Sequence, residues 1–133
     1  MNQKEEERLI IEYFRKNFPD FPRGKLVQNE SPDFIFRQRT KQSIGIELTR
    51  LAETADNLYD NISTSITKKN EKLSLYQNYK LSEQWLIIYT DDMTSMYSEN
   101  YKNIVMTRTF YSGFTRIYLF DLFEKNIYQL LIG

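Results

Sequence analysis

Apolar and polar positions along the chain divide it into a short series of elements. Between residues 3 and 17, Leu9, Ile10, Tyr13 and Phe14, followed by Asn17 or Phe18, keep roughly a 3.6-residue period, which predicts an amphipathic helix. Glu5, Glu6 and Glu7 occupy its first turn, where the helix dipole favours acids. The stretch FPDFPRG, with Pro19, Pro22 and Gly24, stops it, and Lys25 to Gln28 reads as a short extended piece. Phe34, Ile35 and Phe36 then form a β-prone run. Ile44, Ile46 and Leu48 alternate with Gly45, Glu47 and Thr49 at period two. The polar connection RQRTKQ has hairpin length, so an antiparallel hairpin is predicted.

From Thr54 to about Tyr79 the period turns helical: Leu58, Ile62, Ile66, Leu73 and Tyr76 form one stripe, with Thr54 as the expected N-cap and Asp56 in the first turn. WLIIYT, residues 85 to 90, has the continuous apolar character of a buried central strand. DDMTSMYSENYKNIV reads as a loop with a short helix. FTRIYLFDL and NIYQLLI, parted near Phe123 to Lys125, read as a closing hairpin. The order is helix, strands, long helix, strand, connection, strands, which is that of an α/β sandwich forming one domain over residues 1–133.

Composition narrows the chemistry. The 133 residues contain no Cys and no His. Thiolate catalysis, disulfides, histidine-based triads and Cys- or His-ligated zinc are therefore excluded. Carboxylate, lysine, tyrosine and hydroxyl chemistry remains, and any metal would be held by oxygens, as Mg²⁺, Mn²⁺ and Ca²⁺ are. With 18 basic and 18 acidic residues the formal net charge is zero, so nucleic-acid binding would require a local basic patch. No apolar stretch approaches the roughly 20 residues of a membrane span. The start, MNQKEEERLIIEYF, is acidic and polar rather than signal-like, and a cytoplasmic protein is expected.

If the hairpin is centred near Thr40, Asp33 stands opposite Glu47 on one face. Two like charges so placed repel, which raises a pKa or demands a cation, and a divalent metal is the natural compensation. Mg²⁺ takes one or two carboxylates and fills its remaining positions with water and substrate phosphate.

The residues PDF at 32–34 and GIELT at 45–49, on the two arms of an apolar hairpin, resemble the PD-(D/E)XK nuclease superfamily, the restriction-endonuclease-like fold. The resemblance implies a three-layer core with a mixed central sheet flanked by helices. It also implies a metal-dependent phosphodiesterase acting on nucleic acid, DNA rather than RNA, with room for a homodimer. Asp33 and Glu47 would hold Mg²⁺ or Mn²⁺, completed by the main-chain carbonyl of Leu48. A lysine two residues after the acid would orient or deprotonate water. Here position 49 is Thr.

A lysine is available elsewhere. At 100° per residue Lys69 falls in the middle of the long helix's apolar stripe and Lys72 at its edge. A lysine on an apolar face is costly unless paired, so Lys69 is the candidate replacement and Lys72 a phosphate contact; alternatively Lys69 snorkels and packs its stem. Asp33 and Glu47 also have a plain reading, as a turn residue and a solvent-facing strand residue. Glu6, on the first helix, and Glu30, before the hairpin, are secondary candidates for the site; dipole complementarity and an exposed loop explain them equally. Arg37, Arg39 and Lys41 make a basic hairpin tip suited to phosphate, or simply a solvated one. Tyr97 and Tyr101 are expected to pack rather than stack on bases, and Asp91 and Asp92 to serve a turn. Two further readings stand beside the nuclease: a catalytically inactive nuclease-fold module used for binding, and a different α/β domain in which the three residues scatter.

Overall fold

The parallel centre of the sheet is built from the chain's most apolar segments. In this computed structural model, β4 (Glu83–Thr90) lies between β3 (Ser43–Arg50) and β6 (Arg116–Asp121), parallel to both. Its residues 85–90 are buried, as a strand covered on both faces requires. On one side β3 pairs antiparallel with β2 (Phe34–Gln38), and β2 with β1 (Gly24–Gln28); on the other, β6 pairs antiparallel with β7 (Asn126–Gln129). The mixed six-stranded order is β1-β2-β3-β4-β6-β7. The structure describes every residue except Glu99, and every remaining side chain except those of Gln77 and Asn78.

Helices cover both faces. The first, α1 (Gln3–Asn17), buries Ile10, Ile11 and Phe14 against Phe34, Ile46, Leu48, Ile87 and Phe120. On the opposite face α2 (Leu58–Asn70) and α4 (Tyr101–Thr107) bury Leu58, Ile62, Ile66 and Val105 against Leu86, Ile88, Ile117 and Leu119. Both β3 to β4 and β4 to β6 are parallel steps in the same direction, and their connecting helices accordingly share one face. The result is an α/β domain with a mixed sheet between two helical layers. Among the described residues no helix is long and apolar enough to cross a membrane.

The predicted elements appear with local differences. In α1 the buried face runs through Glu7, Ile10, Ile11 and Phe14, and Leu9 is exposed. The second helix starts at Leu58, capped by Asn57, whose side chain accepts the Asp60 N–H at 2.8 Å. Thr54 is not the cap because Asn61, inside the helix, binds both the N–H and the C=O of Ala55 and holds the preceding segment in a turn. The helix ends at Asn70, and Leu73 and Tyr76 belong to a separate 3₁₀ turn, Leu73–Asn78. The segment after β4 forms two short helices, α3 (Met93–Tyr97) and α4. A small parallel pair, β5 (Thr109–Phe110) with β8 (Leu131–Ile132), is too short to show as a periodic pattern.

Along β3 the alternation sorts the layers. Ile44, Ile46 and Leu48 face α1, so Gly45, Glu47 and Thr49 face α2. Gly45 has no side chain where Pro32 and Leu81 pack: a Cβ there would meet Leu81 Cδ1 at 2.7 Å and Pro32 Cγ at 3.1 Å. That packing seats the segment carrying Asp33. Gly45→Val should therefore destabilise the fold by about 1–3 kcal/mol through overpacking, read as a lowered denaturant midpoint; an unchanged midpoint would mean that Pro32 and Leu81 yield freely.

Candidate metal and phosphoryl-transfer site

Register brings the two acids together. β2 and β3 pair Phe34 with Ile46 and Phe36 with Ile44, so one step further Asp33 stands level with Glu47. Side chains replace the next rung of the ladder. The Asp33 N–H donates to Glu47 Oε1 at 3.1 Å, and the Leu48 N–H donates to Asp33 Oδ2 at 2.8 Å. Each carboxylate is thus oriented by the backbone of the other's strand.

Glu47 is 1% exposed in the middle of a sheet, a position that a charge occupies only with compensation. Two ammonium groups provide it. Lys69 Nζ lies 3.4 Å and Lys72 Nζ 3.6 Å from Glu47 Oε2. Lys69, in the last turn of α2, has a side chain only 13% exposed; Lys72, beyond the helix end, is nearly half exposed. Asp33 and Lys69, from the opposite arm of the hairpin and from a helix, therefore both meet Glu47, and Lys72 joins them.

The electrostatics are asymmetric within the pair. Burial, and then the neighbouring Glu47 charge, push the Asp33 carboxyl up from its ordinary value to about 8, against the Leu48 N–H, which favours the ionised form. Burial acts to lower Lys72, but the charges of Glu47 and Asp33 outweigh it and the net shift is upward. Tyr76, 1% exposed, has its phenol raised far above the ordinary range by burial and by Glu47. Its hydroxyl and that of Ser31 are buried without a hydrogen-bond partner among the described residues. Both belong to this same neighbourhood, since Glu47 and Ser31 both act on the phenol.

The secondary candidates are distributed differently. Glu6 turns to the α1 side, where it accepts the Tyr89 hydroxyl at 2.9 Å and approaches Arg50 at 3.6 Å. Glu7 is the acid on α1 whose charge reaches Asp33. It lies four residues before Ile11 and seven before Phe14, on the buried stripe, and that spacing was the signal available in the sequence. Glu30 forms an exposed ion pair with Lys4 at 2.6 Å and is no part of the pair. Thr49 is buried beside Glu47's face, with its hydroxyl 3.4 Å from the Arg50 carbonyl oxygen. Arg37 and Arg39 are exposed at the far end of β2, separated from Asp33 by about 13 and 20 Å of strand at 3.3 Å per residue. Tyr101 is buried, and the Tyr97 hydroxyl accepts from Asn61. Asp91 pairs with Arg50, and Asp92 caps α3.

The donor set suits a hard divalent cation in part. It offers two adjacent carboxylates, oxygen donors only, and a mutual repulsion that a cation relieves. Among the described residues no group of three or more acids is disposed to hold a metal, so the remaining positions would fall to a main-chain carbonyl, water or substrate oxygen. Glu47 already meets cations of the chain itself.

Because Asp33 binds its proton more tightly folded than unfolded, wild-type stability without divalent cations should fall as pH rises from about 4 to about 8. Asp33→Asn keeps an acceptor for the Leu48 N–H and removes one of the two charges. It should flatten that dependence and be more stable than wild type at pH 8, as read from denaturant midpoints in a chelator; parallel pH profiles would refute the repulsion. Comparison with protein-family models, curated proteins and solved structures gives no match to this chain, and the reading of the cleft rests on its own geometry.

Proposed function

We propose that the chain is a divalent-metal-dependent phosphodiesterase acting on nucleic acid, with a restriction-endonuclease-like core. The observation that carries this reading is that Asp33 and Lys69, from separate segments, both meet the buried Glu47 carboxylate. Asp33 and Glu47 would hold Mg²⁺ or Mn²⁺, with the Leu48 carbonyl as a further donor. The metal would supply Lewis acidity toward a phosphoryl oxygen and its water.

The chain's own groups have distinct tasks in this scheme. Lys69, an ammonium poised at Glu47, would orient and polarise the attacking water, whose proton passes to solvent. The water oxygen forms the new bond to phosphorus, the phosphorus–ester oxygen bond breaks, and the departing ester oxygen takes up a proton from solvent. Lys72, more exposed at the mouth of the cleft, offsets phosphate charge. Lys69 takes the part that position 49 leaves to a threonine. An ammonium arriving from a neighbouring helix is chemically equivalent if its nitrogen reaches the same carboxylate.

A catalytically inactive binding module of the same fold is the second reading. It is favoured by one observation: both Glu47 oxygens are already engaged, by the Asp33 N–H and by two lysines. In that case the lysines are permanent counter-ions.

Calorimetric titration with Mn²⁺ near pH 7 separates the two. The enzyme reading expects saturable binding with net proton release, since Asp33 must lose the proton it holds up to about 8. Binding should disappear in Asp33→Ala. Lys69→Ala should retain it while slowing oligonucleotide cleavage by about 10²–10⁴-fold. Absence of Mn²⁺ binding both alone and with an oligonucleotide present would leave the inactive module.

A further inference from the structure

At the other end of α1 and β2 a second charged feature has no part in the carboxylate cleft. The last turn of α1, the FPDFPRG loop and the β2–β3 hairpin tip enclose an open concavity of about 590 Å³. Its walls carry Arg15, Lys16, Arg23 and Arg39, against the single acid Glu12. Glu12 is engaged by Arg8 at 3.9 Å and Arg15 at 3.5 Å. Lys16, Arg23 and Arg39 have no carboxylate within 4 Å among the described residues.

Helix-dipole complementarity accounts for Arg15 and Lys16, which lie in the last turn of α1. It does not account for Arg23 and Arg39, which come from loops. The backbone locks those loops together: the Arg39 N–H donates to the Arg23 carbonyl at 3.1 Å. Arg15 is held in place by the rings of Phe21 and Phe36, 5.3 and 5.6 Å from its guanidinium carbon. In a chain of zero net charge, four cations on one groove are a local concentration that folding created.

We infer that this groove binds the phosphodiester backbone of nucleic acid. A single small phosphate is usually captured by converging backbone N–H groups at a helix N-terminus. The helix end here is a C-terminus, whose carbonyls oppose a lone anion, and the attraction comes from side chains spread over three segments. That arrangement suits a repeating polyanion bound through counterion release. A concave wall also suits the convex backbone of a duplex better than a flat anionic surface. The groove lies about 20 Å from Asp33 along β2, so it acts apart from the cleft and does not depend on a metal.

The test uses the whole chain and a labelled 20-base-pair duplex, followed by fluorescence anisotropy in a chelator so that the carboxylate cleft takes no part. Wild type should bind, with log affinity falling against log salt at a slope of about −3.6 if all four cations engage phosphates. Arg23→Ala/Arg39→Ala, two exposed loop changes checked for folding by circular dichroism, should weaken binding by at least roughly tenfold at low salt and bring the slope to about −1.8. Asp33→Ala should leave both unchanged, so that failure here and failure of Mn²⁺ binding are separate results. The inference is overturned if wild type does not bind duplex, or if the double variant keeps the wild-type slope. It is also overturned if millimolar pyrophosphate displaces the duplex at unchanged ionic strength, or if only anionic lipid vesicles bind.

Discussion

The charge on Glu47 organises the half of the fold around the β2–β3 hairpin and the end of α2. Taking an ion out of water costs several kcal/mol even after relaxation, against a typical total stability of about 5–15 kcal/mol. A carboxylate 1% exposed in a central strand is tolerable only if the surrounding elements compensate it. They do so from both sides: the hairpin supplies the Asp33 N–H, the last turn of α2 supplies Lys69 and the segment just after it supplies Lys72. The same requirement constrains where α2 stops, since both ammonium groups must clear the apolar stripe of Leu58, Ile62 and Ile66 and still meet one oxygen. Asp33 works against this balance. Its carboxyl is largely withdrawn from water and stands beside Glu47, so burial, and then the Glu47 charge, push it up.

The hairpin and its acids were legible because strand alternation is exact in period and the polar tip fixed the centre. Once Thr40 is the midpoint, the opposition of Asp33 and Glu47 follows by counting, and the observed pairing of Phe34 with Ile46 has that centre. Lys69 was legible for a different reason, its conflict with the apolar stripe around it. The helix limits were not, because Leu73 and Tyr76 extend the apolar period by chance into a segment that the backbone winds as a 3₁₀ turn. A side-chain cap decided the start as well: Asn57 bonds to the Asp60 N–H, and Asn61 reaches back to Ala55, contacts that a periodicity argument does not weigh.

The acids of α1 show the same limit in a smaller space. Glu6 and Glu7 are adjacent, Glu6 in the first turn of α1 and Glu7 just past it. A rotation of 100° separates a residue bonded to Tyr89 from one whose charge acts on Asp33. The stripe that truly packs is 7-10-11-14, and including Leu9 instead of Ile11 rotates the predicted face away from Glu7. Tyr76 and Ser31 lie beyond sequence reasoning altogether. A tyrosine in an apolar pattern reads as packing, and its unpartnered hydroxyl is visible only once the fold is built.

Position 49 makes the general point about motifs. A linear pattern specifies where a side chain leaves the backbone, whereas catalysis and electrostatics respond to where its charged atom ends. Lysine has a four-carbon stem, so an ammonium can reach a given carboxylate from a neighbouring element as readily as from the next same-face position on the strand. On β3 Thr49 is buried, with its hydroxyl donating to the Arg50 carbonyl. On α2 the Lys69 side chain is largely buried and its nitrogen ends at Glu47 Oε2. The positive charge is therefore absent from position 49 and present at the carboxylate.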